Sequence, residues 1–449
     1  MALTFKGGVH PKAILYSPYP QEVLVPAPPP VLYIPLIQHR GAAAEPLVAP
    51  GDLVLRGQKL ADVDTAVTAP VHAPVSGTVR AIEEVAHPSG GTCMSFVLDN
   101  DFENTLHPSV VPCSTPVEEL TAEQIIAIAR EAGIVGMGGA GFPLHTKLKG
   151  AQGNLTRLLL NGCECEPMIS SDHRTMVLYA DEVVGGARLL ARSVGLPGAT
   201  ICIENNKADA IQAIADAIGE ATDIDLVEVE TKYPQGGERV LISAVAGFEL
   251  PRGKLPTDCG YMVSNVATAA ALYHAYKTGL PSVSRLVTVT GSIVPHPCVM
   301  EVPVGTPFSH LIAQCGELKE PFAKLVSGGP MMGIAQYTAE VPVIKTVSCV
   351  LLMSAAEAAA QRRTNCIHCG KCMRGCPMRL TPCYLNYYSD ARDLDTLEEL
   401  NLDNCIECGV CNYNCPARLP MLQKFKLMKV ELAKRRRELI EKQRGMQRS

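Results

Sequence analysis

The sequence predicts a multidomain protein of mixed α/β and α+β class, and three features carry that prediction. The chain has 449 residues, more than one compact core usually accommodates, so roughly three or four domains are expected. A segment rich in Pro and Val gives way near residue 117 to alternating strand and helix patterns, which indicate a parallel sheet. Towards the C-terminus, two runs of cysteines repeat the same spacing. We therefore expect several differently built regions along the chain.

Residues 1–116 form the first predicted domain, an all-β unit. Short β-like runs such as 31–36 and 77–82 alternate with turn residues about every ten positions. The stretch 60–84 resembles the hairpin half of biotinyl- or lipoyl-type barrel-sandwich domains, in which a turn carries a modified lysine. No lysine lies between Lys59 and Arg80. We therefore expect the barrel-sandwich scaffold without the prosthetic arm, in a structural or docking role.

Residues 117–283 are predicted to form a Rossmann-like α/β domain. Thr121 and Gln124 are placed as a capping box for a first helix, which Gly133 ends. Strands are then predicted over 155–162, 199–205 and 225–230, and helices over about 174–194, over 207–219 and from Gly237 onwards. Strands that alternate with helices in this way are typical of a parallel sheet covered by helices.

Two smaller units and a tail complete the predicted organisation. Residues 284–348 contain short strands, a turn and one amphipathic helix, which favours a small α+β module. The stretch 350–361 is predicted to be a helix or linker that leads into the cysteine region, 355–420. The tail, 421–449, is helical in composition and carries ten Lys or Arg against three Glu. It is interpreted as a solvated helix, with docking on a membrane partner or an anionic lipid surface as the alternative.

Composition argues against nucleic acid as a partner and against a membrane-spanning protein. A formal net charge of −5, with 19% charged residues and no Trp, provides neither a basic field nor an aromatic surface for bases. The N-terminus lacks the layout of a signal peptide, and no uncharged apolar stretch of about 18 residues occurs. Eight of the 18 cysteines fall into two tight clusters and the rest are scattered, which fits metal clusters in a reducing cytoplasm better than a disulfide framework.

The strongest chemical signal is the repeat of cysteines near the C-terminus. Each run reads C-x2-C-x2-C-x3-C-P, the spacing with which bacterial ferredoxins hold [4Fe–4S] clusters, and the fourth cysteine of each run ligates the other cluster. One predicted cluster is bound by Cys366, Cys369, Cys372 and Cys415, and the other by Cys405, Cys408, Cys411 and Cys376. Two structural zinc sites are the alternative, although zinc ribbons do not usually show this spacing.

A glycine-rich loop, Gly133–Lys147, carries the second chemical signal. Three of its glycines match G-x-G-x-x-G, the spacing of a dinucleotide-binding turn, which requires a strand before it and a helix after it. The predicted element before the loop is a capped helix, and Phe142-Pro143 directly after the third glycine is a poor helix start. A dinucleotide fingerprint is therefore the weaker interpretation of this loop.

The loop resembles the flavin site of the FMN- and NADH-binding subunit of respiratory complex I. Its "GMGGAGFPLHTK" is similar to that family's "GRGGAGFP…K", with Met137 in place of the usual Arg. Further likenesses follow in order: "NGCECEP" (161–167) to "NADEMEP", "YPQGGE" (233–238) to "YICGEE", and "VSNVAT" (263–268) to "VNNVET". Ordered matches of this kind are more specific than any one of them alone.

The resemblance implies residues for FMN and for NADH, bound non-covalently. The FMN residues would be Gly136, Gly138, Gly139, Lys147, Asn161, Glu164, Tyr233, Gly236, Asn265 and Thr268. The NADH residues would be Gly139, Phe142, Glu166 and Glu238. Glycine backbones approach a flat ring or a phosphate without obstruction. Cys163, Gly237 and Ser264 depart from the family's Asp, Glu and Asn, so the nucleotide preference stays open.

Nearly the whole chain resembles the family of Rnf-complex C subunits. The likeness includes "FKGGVHP" (5–11), "GGPMMG" (328–333) and a β-grasp (SLBB) domain over 285–345. It implies an ion-translocating NAD:ferredoxin oxidoreductase, a translocase, in which this chain is the peripheral NAD(H) port on the cytoplasmic face of the membrane. The implied partners are a ferredoxin-like iron–sulfur subunit and integral-membrane subunits. The alternatives are a soluble flavin and iron–sulfur cobalamin reductase, and a non-catalytic docking adaptor without flavin.

Overall fold

The N-terminal region is built from antiparallel strands. The computed structural model describes residues 2–11, 22–153, 155–359 and 362–446. The strands of this region are β1 (Val31–Pro35), β2 (Glu45–Pro46), β3 (Leu53–Val54), β4 (Lys59–Asp62), β5 (Val71–His72), β6 (Gly77–Ala86) and β7 (Thr92–Asn100). They form two sheets, ordered β1-β7-β6-β3 and β2-β4-β5. Buried side chains from both sheets, among them Ile34, Leu60 and Phe96, share one core, as a barrel-sandwich requires.

The second region contains the predicted parallel sheet with helices, and a fourth strand, β11, joins the three that were predicted. Its elements are α1 (Ala122–Glu131), α2 (Leu144–Gly150), β8 (Arg157–Gly162), α3 (Ser171–Leu178), α4 (Ala180–Ser193), β9 (Ala199–Glu204), α5 (Ala208–Ile218), β10 (Ile224–Val229), α6 (Glu238–Ala246), β11 (Tyr261–Asn265) and α7 (Val266–Thr278). The strand order is β10-β9-β8-β11, and every pairing is parallel. The carboxyl ends of all four strands therefore meet at one edge.

Local sequence signals account for some of the helix ends in this region. The capping box of Thr121 and Gln124 is present at α1, and Gly133 adopts a positive φ of 61° after it. The single helix predicted over 174–194 is wrong, because the backbone leaves helical geometry at Tyr179, with φ −121° and ψ 37°, and separates α3 from α4. The Tyr179 hydroxyl donates to Glu301 at 2.8 Å, which ties this break to the next region.

The third region is a mixed sheet with one packed helix. Its elements are β12 (Ser284–Thr290), β13 (Cys298–Pro303), α8 (Phe308–Gln314), β14 (Lys324–Ser327), β15 (Ile334–Gln336) and β16 (Cys349–Met353). The strand order is β13-β12-β16-β14-β15, with β12 and β16 parallel at its centre, and Phe308 and Leu311 of α8 pack into the core. The prediction of a helix or linker over 350–361 is wrong for its first part, because β16 completes this sheet beyond residue 348. A short helix, α9 (Ala355–Ala358), follows.

The cysteine region is a cluster of helices. Its elements are α10 (Lys371–Gly375), α11 (Pro382–Ala391), α12 (Leu394–Glu399), α13 (Val410–Asn414) and α14 (Met421–Met446). The predicted helical tail is confirmed as α14, whose first turns bury Met421, Phe425 and Leu432 in this cluster; residues 447–449 lie outside the described residues. Across the described ranges, no helix combines the length and apolar character that crossing a bilayer requires.

Candidate functional site

The predicted flavin residues gather at the carboxyl edge of the parallel sheet. Asn161 and Asn265 lie at the ends of β8 and β11, and the segment 230–237 follows β10. In open parallel sheets, ligands bind in the crevice outside the carboxyl ends of the strands. The sequence motifs that are far apart in the chain are therefore brought to one crevice by the topology of the sheet.

The glycine loop closes this crevice with a well-defined backbone. The N–H of Gly136 donates to the Phe142 carbonyl at 2.9 Å, and the N–H of Gly141 donates to the Gly136 carbonyl at 3.2 Å. Gly139 has a φ of 125°, and a Cβ there would meet no atom within 4 Å. Of the described residues, none accepts a hydrogen bond from the N–H groups of 138–140. The loop therefore presents unpaired donors on its exposed side, which suits an anion or a ring acceptor.

Asn265 and Thr268 contact the glycine loop and restrain its backbone. The Asn265 Oδ1 caps α7 by accepting from the N–H groups of Ala267 at 2.9 Å and of Thr268 at 3.3 Å. A Cβ on Gly138 would come within 3.3 Å of the Asn265 side chain. The Thr268 hydroxyl accepts from the Met137 N–H at 2.8 Å. These residues are therefore in place to position the loop, whereas the sequence predicts direct contact with FMN.

Lys147 and Glu238 form an ion pair in the crevice. The Lys147 Nζ lies 3.3 Å from a Glu238 carboxylate oxygen and donates to the Val263 carbonyl at 2.5 Å. Both side chains are partly exposed. A predicted FMN residue and a predicted NADH residue are thus brought together, and the lysine charge remains accessible to an anionic ligand.

The turn that contains Gly236 admits no side chain. The Asn161 side-chain amide donates to the Gly236 carbonyl at 2.7 Å, and a Cβ on Gly236 would lie 2.3 Å from the Cys163 carbonyl oxygen. The Gly236 N–H in turn donates to the Cys165 sulfur at 3.3 Å. Burial raises the pKa of both cysteine thiols, and they lie beside the crevice, Cys163 buried and Cys165 partly buried.

Two glutamates of the 161–167 loop serve different parts of the structure. Glu164 accepts from the N–H groups of Asp172 at 2.7 Å and of His173 at 3.1 Å at the start of α3. Burial, with the Asp172 charge as the second cause, raises the pKa of Glu164 to about 7. Glu166 accepts from the N–H groups of Met331 at 2.6 Å and of Met332 at 3.1 Å. Its carboxylate is therefore engaged by the "GGPMMG" turn of the third region.

The remaining predicted contacts, and three residues outside the predictions, complete the crevice. Phe142 is half-buried. Asp172 accepts from the Asn265 amide at 2.6 Å, and its other carboxylate oxygen is buried without a partner among the described residues. Gln235 is fully buried, and its side-chain nitrogen and oxygen also lack hydrogen-bond partners among the described residues. Arg285 of β12 contacts Met137. Gln235 lies within the "YPQGGE" motif without having been predicted as a site residue, whereas no motif indicates Asp172 or Arg285, which only tertiary packing brings to the crevice.

Unpaired buried polar atoms at this site fit a bound polar ligand. Buried polar groups in proteins are normally hydrogen-bonded, and here a carboxylate oxygen of Asp172 and the amide of Gln235 lack partners within the described chain. The free N–H groups of the glycine loop and the accessible Lys147 charge add donors for a phosphate or a flavin edge. The residues present therefore fit FMN.

The second cysteine group is brought together in the structure. Cys376, Cys405, Cys408 and Cys411 line one small, mostly apolar cavity. Burial raises the pKa of all four thiols, so four thiolates here need a positive partner such as iron. The fourth member, Cys376, comes from the first run; the crossed ligand assignment itself stays a prediction. This donor set fits a [4Fe–4S] cluster.

The first cysteine group is less enclosed. Cys366 is exposed and Cys369 partly buried, whereas Cys372 and Cys415 are buried. Within the described ranges, no three Cys, His, Asp or Glu side chains, those of the second cysteine group included, stand in a geometry that would already hold a metal ion. Cys372 lies against Cys383, whose charge raises its pKa further after burial. The backbone of this run nevertheless matches that of the second run, so the same type of site fits here.

Tyr233 connects the crevice to the second cysteine group. Its ring is 1% exposed, and its hydroxyl donates to the Cys408 carbonyl at 2.7 Å. Tyr233, Cys408 and Val410 share an apolar cluster that Cys165 and Ile406 border. The N-terminal segment covers the junction, because residue 9 pairs with Tyr233 through two backbone hydrogen bonds of 2.9 Å. The crevice and the second cysteine group are therefore in direct contact.

Comparisons with known families agree with the predicted fold class in each region. The family described as "RnfC Barrel sandwich hybrid domain" matches residues 3–103, and "Nuo51 FMN-binding domain" matches residues 129–274. "SLBB domain" matches residues 286–335, and "4Fe-4S dicluster domain" matches residues 365–419. The fold class predicted from the sequence is confirmed; the exact domain boundaries remain predictions.

Relatives of similar length, all of them C subunits of oxidoreductase complexes, match almost the whole chain. The relative from the Na+-translocating ferredoxin:NAD+ oxidoreductase complex of Acetobacterium woodii is 41% identical over 89% of this chain and 90% of its own. Its counterpart in the proton-translocating complex of Clostridium ljungdahlii is 38% identical, covering 90% and 88%. The relative from an ion-translocating oxidoreductase complex of Rhodobacter capsulatus is 40% identical, covering 97% and 84%. The chain therefore belongs to the RnfC family, the C subunits of ion-translocating oxidoreductase complexes.

Proposed function

We propose that this chain is the NAD(H)-side electron-transfer subunit of a membrane-bound ion-translocating ferredoxin:NAD+ oxidoreductase. Its cofactors are FMN in the crevice and two [4Fe–4S] clusters in the cysteine region, and NAD(H) is its substrate. The observation that carries this proposal is the contact through Tyr233 between a crevice that fits FMN and a set of four thiols that fits a cluster. The cobalamin reductase alternative is not favoured, because the relatives are C subunits over nearly their whole length.

Residues of the crevice bind and orient the flavin and the nucleotide. FMN, when bound, exchanges hydride with NAD(H) and passes electrons on singly. The free N–H groups of 138–140 and the Lys147 ammonium hold its anionic and acceptor groups. Phe142 and Gly139 border the space for nicotinamide, and Glu238 is held beside it by Lys147 at 3.3 Å. The predicted FMN and NADH residues remain proposals in these roles.

The second cysteine group would hold the cluster nearest to the flavin, and that cluster would supply the first acceptor for its electrons. It lies against the crevice through Tyr233, and an added Cβ on Gly237 of the crevice would come 3.5 Å from Ile406 of the second run. The first group lies beyond it, with Cys366 exposed. Electrons taken from NADH therefore leave the chain near the first group, towards a ferredoxin-like iron–sulfur subunit. Reduced ferredoxin drives the same path in reverse.

The partners are the other subunits of the complex, including the integral-membrane subunits that couple electron transfer to ion movement. This chain is peripheral and lies on the cytoplasmic face of the membrane. The exposed, basic second half of α14 is available for docking on that membrane or its subunits: Lys434 and Arg437 are exposed there. Arg435 and Arg436, in contrast, pair with Glu398, on α12.

Anaerobic purification of the full chain tests this function directly. We expect about one FMN and about eight iron atoms per chain, as two [4Fe–4S] clusters require, and NADH should bleach both the flavin and the iron–sulfur absorbance. A docking adaptor predicts no flavin and no response to NADH. Protein that retains its iron but neither contains nor binds FMN would overturn the catalytic proposal in favour of the adaptor.

A further inference from the structure

An arginine that belongs to none of the sequence motifs described above is hydrogen-bonded to the glycine loop. Arg285 lies in β12, in the third region, and is 4% exposed. Its Nη2 donates to the Met137 carbonyl at 3.0 Å, and its Nη1 lies 3.5 Å from the Met137 sulfur. Its Nε donates to the Val347 carbonyl at 3.2 Å. One buried guanidinium therefore ties the loop of the second region to two segments of the third.

The contact with Met137 fixes the direction of the next N–H group. In a trans peptide the C=O and N–H point in opposite directions, so a Met137 carbonyl aimed at Arg285 turns the Gly138 N–H away from it. The Met137 N–H is also fixed, by the Thr268 hydroxyl at 2.8 Å. Both peptide units around Met137 are held, and the loop beyond it is exposed at 138–140. The Gly138 N–H therefore points away from Arg285, towards the open side of the loop.

The positive charge of Arg285 compensates the negative charge of buried carboxylates next to the loop. Burial raises the pKa of Asp172, and the charge of Arg285 is the leading influence that lowers it again. Asp172 in turn holds the Asn265 amide at 2.6 Å, and Asn265 lies against Gly138. Removing the guanidinium would leave this carboxylate without the charge that does most to offset its burial. Arg285 thus contacts the loop directly at Met137, and its charge separately offsets the buried carboxylate that holds Asn265.

We propose that Arg285 is a positioning residue for the flavin, which presets the N–H groups of 138–140 for the acceptor groups of FMN. This inference rests on the proposed function, in which FMN occupies the crevice. Arginine suits the role because its planar guanidinium donates in several fixed directions, whereas a lysine ammonium is a single flexible point. Met137 itself supplies only a carbonyl and a sulfur to this contact.

The affinity of flavin-free protein for FMN tests the proposal without any turnover. The full chain is stripped of flavin, and FMN fluorescence quenching gives the dissociation constant of the wild type and of Arg285→Met, Arg285→Lys and Arg188→Met. We expect Arg285→Met to weaken FMN binding by about 10- to 100-fold, as the loss of charge-assisted hydrogen bonds implies. Arg285→Lys should recover part of the loss, because it restores the charge but not all the contacts.

Arg188→Met is the matched control. Arg188 makes a two-point pair with Asp223, with Nε–Oδ2 at 2.8 Å and Nη2–Oδ1 at 3.2 Å. Asp223 precedes β10, so this pair lies at the amino edge of the same sheet, opposite the crevice. We expect Arg188→Met to change stability but not FMN affinity. An equal loss of affinity in both methionine variants would overturn a specific role for Arg285.

A double variant separates positioning from simple charge balance. Adding Asp172→Asn to Arg285→Met removes the uncompensated carboxylate, and thermal unfolding of the flavin-free proteins measures the result. We expect the melting temperature to recover while FMN affinity stays low. Affinity that recovers with stability, or an unchanged affinity of Arg285→Met, would overturn the inference alone. Wild-type protein that binds no FMN would overturn the proposed function, and this inference with it.

Discussion

The two cysteine runs share one backbone and differ in what surrounds them. Gly370 and Gly409 both start short helices with positive φ, 70° and 75°. The N–H groups of Cys376 and Cys415 each donate, at 3.2 Å, to the carbonyl of the residue three positions earlier. Equal local sequence therefore produces equal local geometry, down to single hydrogen bonds.

The surroundings are unequal because only the second run faces the flavin crevice. Ile367 and Ile406 occupy the same position of the repeat. The Ile367 residue is 65% exposed, whereas Ile406 packs beside Tyr233 and Cys408. A repeat in the sequence thus specifies two similar cluster sites, and the tertiary contacts assign one to the flavin and leave the other near the surface.

The largest effect is expected from the two crossing cysteines. Cys376→Ala lies in the first run but should remove the cluster held by Cys405, Cys408 and Cys411, whose cavity it lines. Cys415→Ala should remove the other cluster. Each variant should lose about half of the bound iron, because each [4Fe–4S] cluster needs its four thiolates. Iron analysis and electron paramagnetic resonance spectra of the two variants provide the measurement.

The two spectra must be complementary. If Cys376→Ala loses the same cluster signal as Cys366→Ala, ligation stays within each run and the crossed assignment is wrong. Cys383→Ala is the control, since this cysteine lies against Cys372 but belongs to neither predicted set; it should retain both signals.

The next largest effect is expected where the two cysteine runs contact each other. A Cβ on Gly375 would lie 2.3 Å from the Asn414 side-chain nitrogen and 3.0 Å from a Val410 methyl group. Gly375→Ala should therefore destabilise the protein by about 1–3 kcal/mol, the usual cost of overpacking. Chemical unfolding of the holoprotein measures this. The double variant Gly375→Ala with Asn414→Ala should recover most of the loss; no recovery would show that the contact is not the cause.

The matched isoleucines should respond differently to truncation. Ile406→Ala removes apolar contacts at the Tyr233 cluster and should cost about 1–2 kcal/mol of unfolding free energy, below the full value for a completely buried site. Ile367→Ala should change stability by less than about 0.5 kcal/mol, as surface substitutions do. Equal effects of the two substitutions in the same unfolding experiment would contradict the difference in their surroundings.

The smallest effect is expected from one hydroxyl. Tyr233→Phe leaves the ring packing in place but removes the donor to the Cys408 carbonyl, and a hydrogen bond of this kind contributes about 1 kcal/mol. The variant should also shift the potential of the second cluster, since it leaves that carbonyl unpaired beside a cluster ligand. Tyr384→Phe, at a 54% exposed position near the first run, is the control and should change neither quantity.

Sequence alone was sufficient where local chemistry decides the structure. The capping box of Thr121, the strand–helix alternation and the cysteine spacing all depend on neighbours in the chain, and each predicted its element. The predictions for 174–194 and 350–361 were wrong because tertiary contacts decide there: Tyr179 bonds to Glu301, and the strand Cys349–Met353 completes a sheet begun some sixty residues earlier. The unequal environments of Ile367 and Ile406 could not be predicted from the sequence, because tertiary contacts decide them too.

The candidate site likewise contains residues that could be predicted from the sequence and residues that could not. Its motif residues could be named from their resemblance to a flavin subunit, and the parallel sheet brings them to one edge. Arg285 could not be named, because a lone arginine in a strand carries no pattern; only its 3.0 Å contact with the Met137 carbonyl reveals it. The contact between Tyr233 and Cys408 likewise joins residues far apart in the chain.

The central claim is that electrons from the flavin enter the second cysteine group first. Rapid mixing of NADH with Cys369→Ala, which retains only the second cluster, and with Cys408→Ala, which retains only the first, tests it most directly. We predict equal flavin reduction in both, fast cluster reduction in Cys369→Ala, and slow cluster reduction in Cys408→Ala. Cluster reduction in Cys408→Ala that is as fast as in Cys369→Ala would contradict the claim.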